Sequence, residues 1–447
     1  MYQISIVQHS MNTSEVSRWC LDFPRQGQAC TVDSLSDGLV FQGWVLVKDG
    51  AEAVPYLKLN GEKHYLPLNC QRADVITKVL GESADGHAQL TCGFRHTFAL
   101  KQDSGVFGFE VGGTDFDAAS YRIEGSLRIL EGDEGWLYLD NDTNESVEQY
   151  QGNLLLDKNA LKEWKSYLSA FTSLALEQNI RHTLLIAPSK EMVLPEFYPH
   201  EKGRTSPVEQ VAGLSKPEHK LVYPVSQMRA MQEQPFRKCD THWSPKGALV
   251  GFKAALEALG LDMEAVDRVF ESDVYQESVR GGDLGNKLYP PRRAPEWLLT
   301  KVRYQKWVVY DNHLPNLGRV IVFLNEGALL NTKCVIFGSS SSYSFFNYAA
   351  RIFSTLIFVH SAGSIDAGLL EIEKPEYVLA QTNGRFVVRA PVVTYDLEAE
   401  MDAKLDLLSD TQLKDLRKKH QAACSLPDGC LNFDIPSVFS CLLTTKV

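Results

Sequence analysis

The stretch Cys334-Val335-Ile336-Phe337-Gly338-Ser339-Ser340-Ser341-Ser342-Tyr343 decides the fold. Its first four residues are apolar and read as a buried strand. Gly338 lets the backbone turn sharply, and Gly338 to Ser342 reads as that turn. Tyr343 to Phe353 then reads as a helix, Thr355 to Val359 as the next strand and Tyr377 to Ala380 as a third. Strands that alternate with helices imply a parallel sheet with helices on both faces.

The same pattern extends upstream. His182 to Ala187 is a short apolar run ended by Pro188, as expected of a central strand. Leu161, Trp164, Leu168, Phe171 and Leu174 recur at helical spacing and give one apolar stripe. Trp136 and Trp164 read as core. Residues 201–220 are polar and rich in Gly, Ser and Pro and read as a surface excursion, and a second polar, Gly/Pro-rich stretch spans roughly 271–296. The region before residue 126 has a different rhythm. Val40 to Val47 is strand-rich, and Asn60-Gly61 between Tyr56–Leu59 and His64–Leu66 suits a tight hairpin turn. Phe94–Leu100 and Val106–Val111 read as two more strands joined around Asp103-Ser104-Gly105. Short strands at this spacing predict a small β-sandwich. The expected division is an extension over 1–35, the sandwich over 36–125, the α/β domain over 126–400 and a helical tail over 401–447.

Size and composition agree with such a chain. At 447 residues it is long enough for two or three domains. A net charge of -11 without a basic face argues against nucleic-acid binding. The nine cysteines include no CxxC pair, which disfavours a zinc ribbon or a thioredoxin-type site and suits reduced thiols. Cys424, Cys430 and Cys441 give no functional handle. The start Met1-Tyr2-Gln3-Ile4 lacks a basic segment followed by an apolar one, so the expectation is a cytoplasmic protein.

Two segments carry chemistry. A serine where a strand ends and a helix begins lies close to backbone N–H groups suited to an oxyanion. Against this, four serines also suit a loop that caps a helix. The second segment is Asp240-Thr241-His242-Trp243-Ser244-Pro245, in which Ser244 and Pro245 read as N-cap and first helical residue. Two residues apart in extended chain, Asp240 and His242 point the same way. The Asp then orients an imidazole able to take a proton from a serine hydroxyl. The alternatives are a loop Asp beside a packed His, or a pair of metal ligands. The absence of a further cluster at metal spacing ranks metal last, and the motifs call for no cofactor. Together the segments make Ser340, His242 and Asp240 a candidate acyl-transfer constellation.

Asp240-x-His242-Trp243-Ser244-Pro245-x-Gly247 followed by Gly338-x-Ser340 resembles the SGNH-hydrolase-like domain of the alginate O-acetyltransferases, the AlgX/AlgJ type. Gly132 to Leu139, Ile186-Ala187-Pro188-Ser189-Lys190 and Gly282-Asp283-Leu284-Gly285 also fit, over roughly residues 126–395. The resemblance implies a three-layer, flavodoxin-like SGNH fold in circularly permuted order, because the Asp/His block precedes the serine. It implies Ser340 as acyl-carrying nucleophile with Ser341 as its rival, His242 as base and Asp240 as orienter. The His360–Gly363 and Gln381–Asn383 stretches would then supply Gly363 and Asn383 as oxyanion donors. Tyr343, Arg385 and Lys190 are candidates for substrate contact, set against helix packing, a salt bridge and a solvated strand end respectively. The implied function is a carbohydrate O-acetyltransferase or acetylesterase. Its partners would be a glycan or acetylated glycan precursor, an acetyl donor the sequence does not identify, and other polysaccharide-assembly proteins. The resembling enzymes are exported, which stands against the cytoplasmic expectation. The alternatives are a glycan-binding protein on a decayed SGNH scaffold and a structural subunit of an assembly machine.

Overall fold

The computed structural model describes residues 2–30, 35, 37–48, 51–125, 129–422 and 430–445. The boundaries expected at 36 and 126, and Cys424, lie outside the described residues. The chain divides into two compact units, residues 1–128 with 281–293, and residues 129–280 with 294–447.

The first unit contains two antiparallel sheets. One runs Gln28–Cys30, Tyr2–Gln8, Thr114–Gly125, Ser104–Val111, Ala53–Leu59 and Glu62–Tyr65, and the other Val16–Phe23, Leu39–Val47 and Gly93–Phe98. Ile4, Phe107, Phe109 and Ile123 of the first share one apolar cluster with Phe41, Val45 and Phe94 of the second. The Asn60-Gly61 hairpin forms with both φ values positive, 51° and 80°, as the turn chemistry requires.

Two expectations fail in this unit. Residues 2–30 are not an extension: Tyr2–Gln8 pairs along its whole length with Thr114–Gly125. The strands expected around Phe94 and Val106 both form, as Gly93–Phe98 and Ser104–Val111, and lie in different sheets. Between them Leu100 is buried and its N–H donates to Leu35 O at 3.0 Å, which makes the connection a corner. Residues 281–293 are not part of the α/β domain expected over 126–400. They belong to the first unit, where Tyr289 joins the core and Tyr2 Oη donates to the carbonyls of Asn286 and Leu288.

The second unit is built on a seven-stranded sheet. Numbered along the chain, its strands are β1 (Arg181–Ala187), β2 (Leu221–Val222), β3 (Val308–Asp311), β4 (Val320–Leu324), β5 (Leu330–Gly338), β6 (Phe353–His360) and β7 (Tyr377–Asn383). Their order in the sheet is β2-β1-β7-β5-β6-β4-β3. The five from β2 to β6 are parallel, but β4 runs antiparallel to β6 and β3 antiparallel to β4. The sheet is therefore mixed rather than purely parallel. β3 and β4 are joined by only eight residues, 312–319, too short a link for the helical crossover that a parallel pair requires. β7 is buried at every position and β1 at six of seven, so both sheet faces are covered. Trp136 and Trp164 lie in this core, at 3% and 0% exposure.

The expected helical tail is likewise part of the unit. Helices Leu397–Asp406, Asp410–Ala422 and Ile435–Thr445 bury Met401, Leu405, Leu413, Leu416, Ile435 and Phe439 in the same core. Lys414, Lys418 and Lys419 stay on the exposed side. The buried Glu373 carboxylate accepts from the Asn432 and Phe433 N–H groups at 2.9 and 2.7 Å and anchors the last segment.

Registry places the site. Ala187 pairs with Asn383, and Gly338 pairs with His360. The carboxyl ends of β1, β7, β5 and β6 thus form one rim, where ligands of open α/β sheets bind.

Candidate active site

β5 ends at Gly338, and the chain turns directly into a 3-10 segment, Ser340–Phe345, before the helix Phe346–Ile352. The turn is tight because position 338 has no side chain: a Cβ there would stand 2.2 Å from Ser342 Oγ. Gln381 of β7 organises the serines from below. Its Oε1 accepts the Ser339 N–H and the Ser342 hydroxyl, each at 2.8 Å. The Ser339 hydroxyl lies 2.8 Å from the same oxygen and 3.1 Å from Asn383 Oδ1. Ser339 and Ser342 are thereby buried and occupied, whereas Ser340 and Ser341 keep partial exposure. Of four consecutive hydroxyls, two build the turn.

The second loop is folded by backbone pairing across its own base. Ser244 N–H donates to Pro235 O at 2.8 Å and Arg237 N–H to His242 O at 3.2 Å, so residues 235–244 close on themselves. Ser244 caps the helix Pro245–Ala258 by accepting from Gly247 N–H at 3.0 Å, with Pro245 in the first turn. Gly247 is required there, because a Cβ would meet Pro235 O at 2.0 Å.

These two loops meet. Ser340 Oγ lies 3.3 Å from His242 Nε2, and His242 Nδ1 lies 2.7 Å from Asp240 Oδ1. The same Oδ1 accepts the His242 backbone N–H at 2.9 Å. With Nδ1–H donating to the carboxylate, Nε2 is left as the acceptor facing the hydroxyl. The Asp240 side chain is only 4% exposed, and its Oδ2 receives Arg237 Nη1 at 2.6 Å. Burial alone pushes this carboxyl up. The His242 hydrogen bond and the Arg237 charge outweigh it and hold the group well below the usual carboxylate range. The Ser–His separation is slightly long for a hydrogen bond, as is common before a substrate tightens a site.

The remaining candidates fall in different places. Gly363 sits in a turn with φ +95°, and the preceding Ser361 and Ala362 N–H groups donate to Gly338 O at 3.0 and 2.8 Å. Asn383 ends β7; its Oδ1 is occupied by Ser339 and by Gln381 Nε2, the latter at 3.1 Å. Tyr343 packs edge-on against Phe346, and its hydroxyl lies 3.1 Å from His360 Nδ1. Arg385 pairs with Asp142 at 3.6 Å, which matches the salt-bridge reading. Lys190 is not a solvated strand end. It is 4% exposed, and Nζ donates to Leu137 O at 2.7 Å and Lys238 O at 3.3 Å, fastening the back of the Asp240 loop. A buried ammonium needs such acceptors, and they commit Lys190 to structure.

The motifs did not reveal Arg237 and Glu296, which are joined at 2.9 Å, or Gln381 as the organiser of the turn. Arg237 left one signal, a cation three residues before Asp240 in the same loop. Glu296 left none, being 59 positions away in sequence. The eight described cysteines are not in disulfides. Among the described residues no helix is long and apolar enough to cross a membrane.

Comparison with known proteins adds the following. Residues 129–350 match the family model of the SGNH hydrolase-like domain, acetyltransferase AlgX. The AlgX/AlgJ-like resemblance read from the motifs therefore holds across the stretch that contains Asp240, His242 and Ser340, while Gly363, Asn383 and Arg385 lie beyond it. A probable alginate O-acetylase AlgJ of Pseudomonas fluorescens is 28% identical over 222 residues, covering 43% of this chain. The match spans 52% of that relative, about half its length. Among solved structures, PatB1 of Bacillus cereus aligns at 13% identity and a TM-score of 0.44 over 61% of this chain and 99% of its own. The O-acetyltransferase domain of Pseudomonas putida AlgJ aligns at 15% identity and 0.35 over 66% and 99%.

Proposed function

We propose that this chain is a carbohydrate O-acetyltransferase or acetylesterase that works through an acetyl-enzyme on Ser340. The observation that carries the reading is the unbroken line Ser340 Oγ, His242, Asp240, at 3.3 and 2.7 Å, on the carboxyl rim of the sheet. In this reading Ser340 Oγ attacks the acetyl carbonyl carbon while His242 Nε2 takes the hydroxyl proton. The tetrahedral oxyanion is held by the Asn383 amide and the Gly363 N–H. Collapse breaks the bond to the donor's alkoxy oxygen, which leaves with the proton from His242. A sugar hydroxyl, or water, then attacks the acetyl group with His242 again as base, and Ser340 is restored. Asp240 fixes the imidazole tautomer throughout.

The substrate class rests on the AlgJ relative, whose name specifies alginate, and on the family model that spans the site. We read the sheet order as a re-cut SGNH sheet, with the serine strand β5 following the Asp/His loop in sequence. The two antiparallel sheets of the first unit are read as a sandwich that docks a glycan or a polysaccharide-assembly protein.

The test is turnover of a small activated acetyl ester together with labelling by a fluorophosphonate probe. The wild-type chain should turn over and label on Ser340, and Ser340→Ala should lose both. Absence of labelling and turnover in the wild type would return the chain to a non-catalytic glycan-binding scaffold.

A further inference from the structure

Arg237 extends the Asp240–His242 pair into a longer line of charge. Its Nη1 donates to Asp240 Oδ2 at 2.6 Å and its Nε to Glu296 Oε2 at 2.9 Å. The Asp240 and Glu296 side chains are 4% and 3% exposed, and Arg237 is 26% exposed between them. Glu296 stands on the strand Ala294–Leu299. Its other oxygen, Oε1, is buried and has no hydrogen-bond partner among the described residues. Such a group is costly to keep, and packing alone gives no reason for a carboxylate at that position.

Charge counting supplies one. Asp240 with Arg237 alone is a neutral pair, and the Arg237 charge cancels part of the attraction that the nearer carboxylate offers a developing imidazolium. Glu296 restores one negative charge. The set Asp240, Arg237, Glu296 and His242 then carries net -1 while the imidazole is neutral and becomes neutral when Nε2 takes a proton. A net charge held out of water is unfavourable, so the arrival of the serine proton relieves a cost built into the resting site.

We propose that Arg237 and Glu296 are positioning residues for His242: Arg237 clamps the Asp240 carboxylate so that Oδ1 faces Nδ1, and Glu296 returns the charge that Arg237 cancels. This rests on the reading of His242 as the base at Ser340. Two other charges of this unit flank the clamp, Glu233 and Lys246, paired with each other at 2.6 Å. Lys190 and Lys238 lie behind the loop. These four are left as they are in every variant titrated.

The experiment is a nuclear magnetic resonance titration of the His242 ring in the full chain, assigned by difference against His242→Gln. Glu296→Gln removes a negative charge and should lower the His242 midpoint by roughly 0.5–1 pH unit. Arg237→Gln removes a positive charge and should raise it by a similar amount. Arg237→Lys, which keeps the charge, should stay close to wild type and serves where Arg237→Gln fails to fold. Shifts of opposite sign support the proposal, because loss of a merely structural contact does not reverse sign with charge. No shift in Glu296→Gln, or the same direction in both, overturns it. The titration does not need turnover. A wild type that resists the fluorophosphonate probe would remove the proposed function, while the two midpoints would still decide the charge relation.

Discussion

Trp243 Nε1–H donates to the backbone carbonyl of Ser341 at 3.0 Å. The residue after the candidate base thus holds the residue after the candidate nucleophile, across 98 positions of sequence. Trp243 is 2% exposed, and its ring also packs on Phe345, 6.1 Å away. This contact does more to fix the Ser340–His242 distance than their own 3.3 Å approach, which is too long to be a strong tether.

Trp243→Phe keeps much of the ring and removes the N–H. The Ser341 carbonyl loses its partner, which costs about 1–2 kcal/mol, and the serine turn is free to drift from the imidazole. The expected result is a roughly tenfold lower kcat/KM on an activated acetyl ester with a melting temperature a few degrees lower. Unchanged turnover would mean that the two loops are held together elsewhere.

Ser341 is the other partly exposed hydroxyl of the turn. Ser341→Ala should retain turnover within a few-fold and still label with fluorophosphonate, whereas Ser340→Ala should not label. A reversed pattern, read by mass spectrometry of the labelled peptide, would make Ser341 the nucleophile.

Gln381→Leu tests the organiser beneath the turn. Gln381 is fully buried and receives three groups from Ser339 and Ser342. Leucine would strand the Ser339 N–H and the Ser342 hydroxyl, at about 1–3 kcal/mol for each group left unsatisfied, while the Ser339 hydroxyl keeps Asn383 Oδ1. Denaturant unfolding should show a loss of at least about 2 kcal/mol, with turnover lost in parallel.

Asn383→Ala separates binding from chemistry. With Oδ1 committed to Ser339 and Gln381, the amide NH2 is the half assigned to the oxyanion. Its loss should lower kcat by about 10²–10³ with little change in KM. A change confined to KM would place Asn383 outside the oxyanion site.

His360 gives a pH signature. Burial, with the Arg319 and Lys404 charges, pushes its imidazole down to about 4. The unfolded chain binds this proton near pH 6.5 and the folded chain only near 4, so the unfolded state holds more protons between them. The stabilisation is full above about pH 6.5, falls as pH drops through this window and is gone below about 4, a loss of up to about 3 kcal/mol. His360→Gln should flatten that part of the stability–pH curve, measured by urea unfolding. An unchanged slope would mean that His360 is free to take its proton in the fold.

Parts of this arrangement were legible in the sequence because the physics is local. Asp240 and His242 share a loop, Ser244 and Pro245 announce the helix after it, and the apolar run before Gly338 announces β5. Strand direction leaves no such mark. Val320–Leu324 is as apolar as its parallel neighbours, and only the short link from β3 betrays its reversal. Glu296 was beyond reach for a related reason: its partner lies 59 positions away, and a glutamate in a polar stretch looks like solvent-facing chain. The serine run showed four equivalent hydroxyls. Their division into two that build the turn and two that face outward depends on Gln381, which comes from another strand.

The insertion of residues 281–293 into the first unit has a practical consequence for anyone dissecting the chain. A deletion ending near residue 128 would strip Tyr289 of the pocket shared by Tyr2, Leu39 and Phe107 and leave an aromatic-bearing loop stranded on the remaining piece. A clean excision needs two cuts, the second between Arg280 and Ala294 with a short splice that closes the hairpin those residues terminate. During synthesis the first unit likewise waits for the ribosome to deliver its last thirteen residues, which follow residues 129–280 of the second.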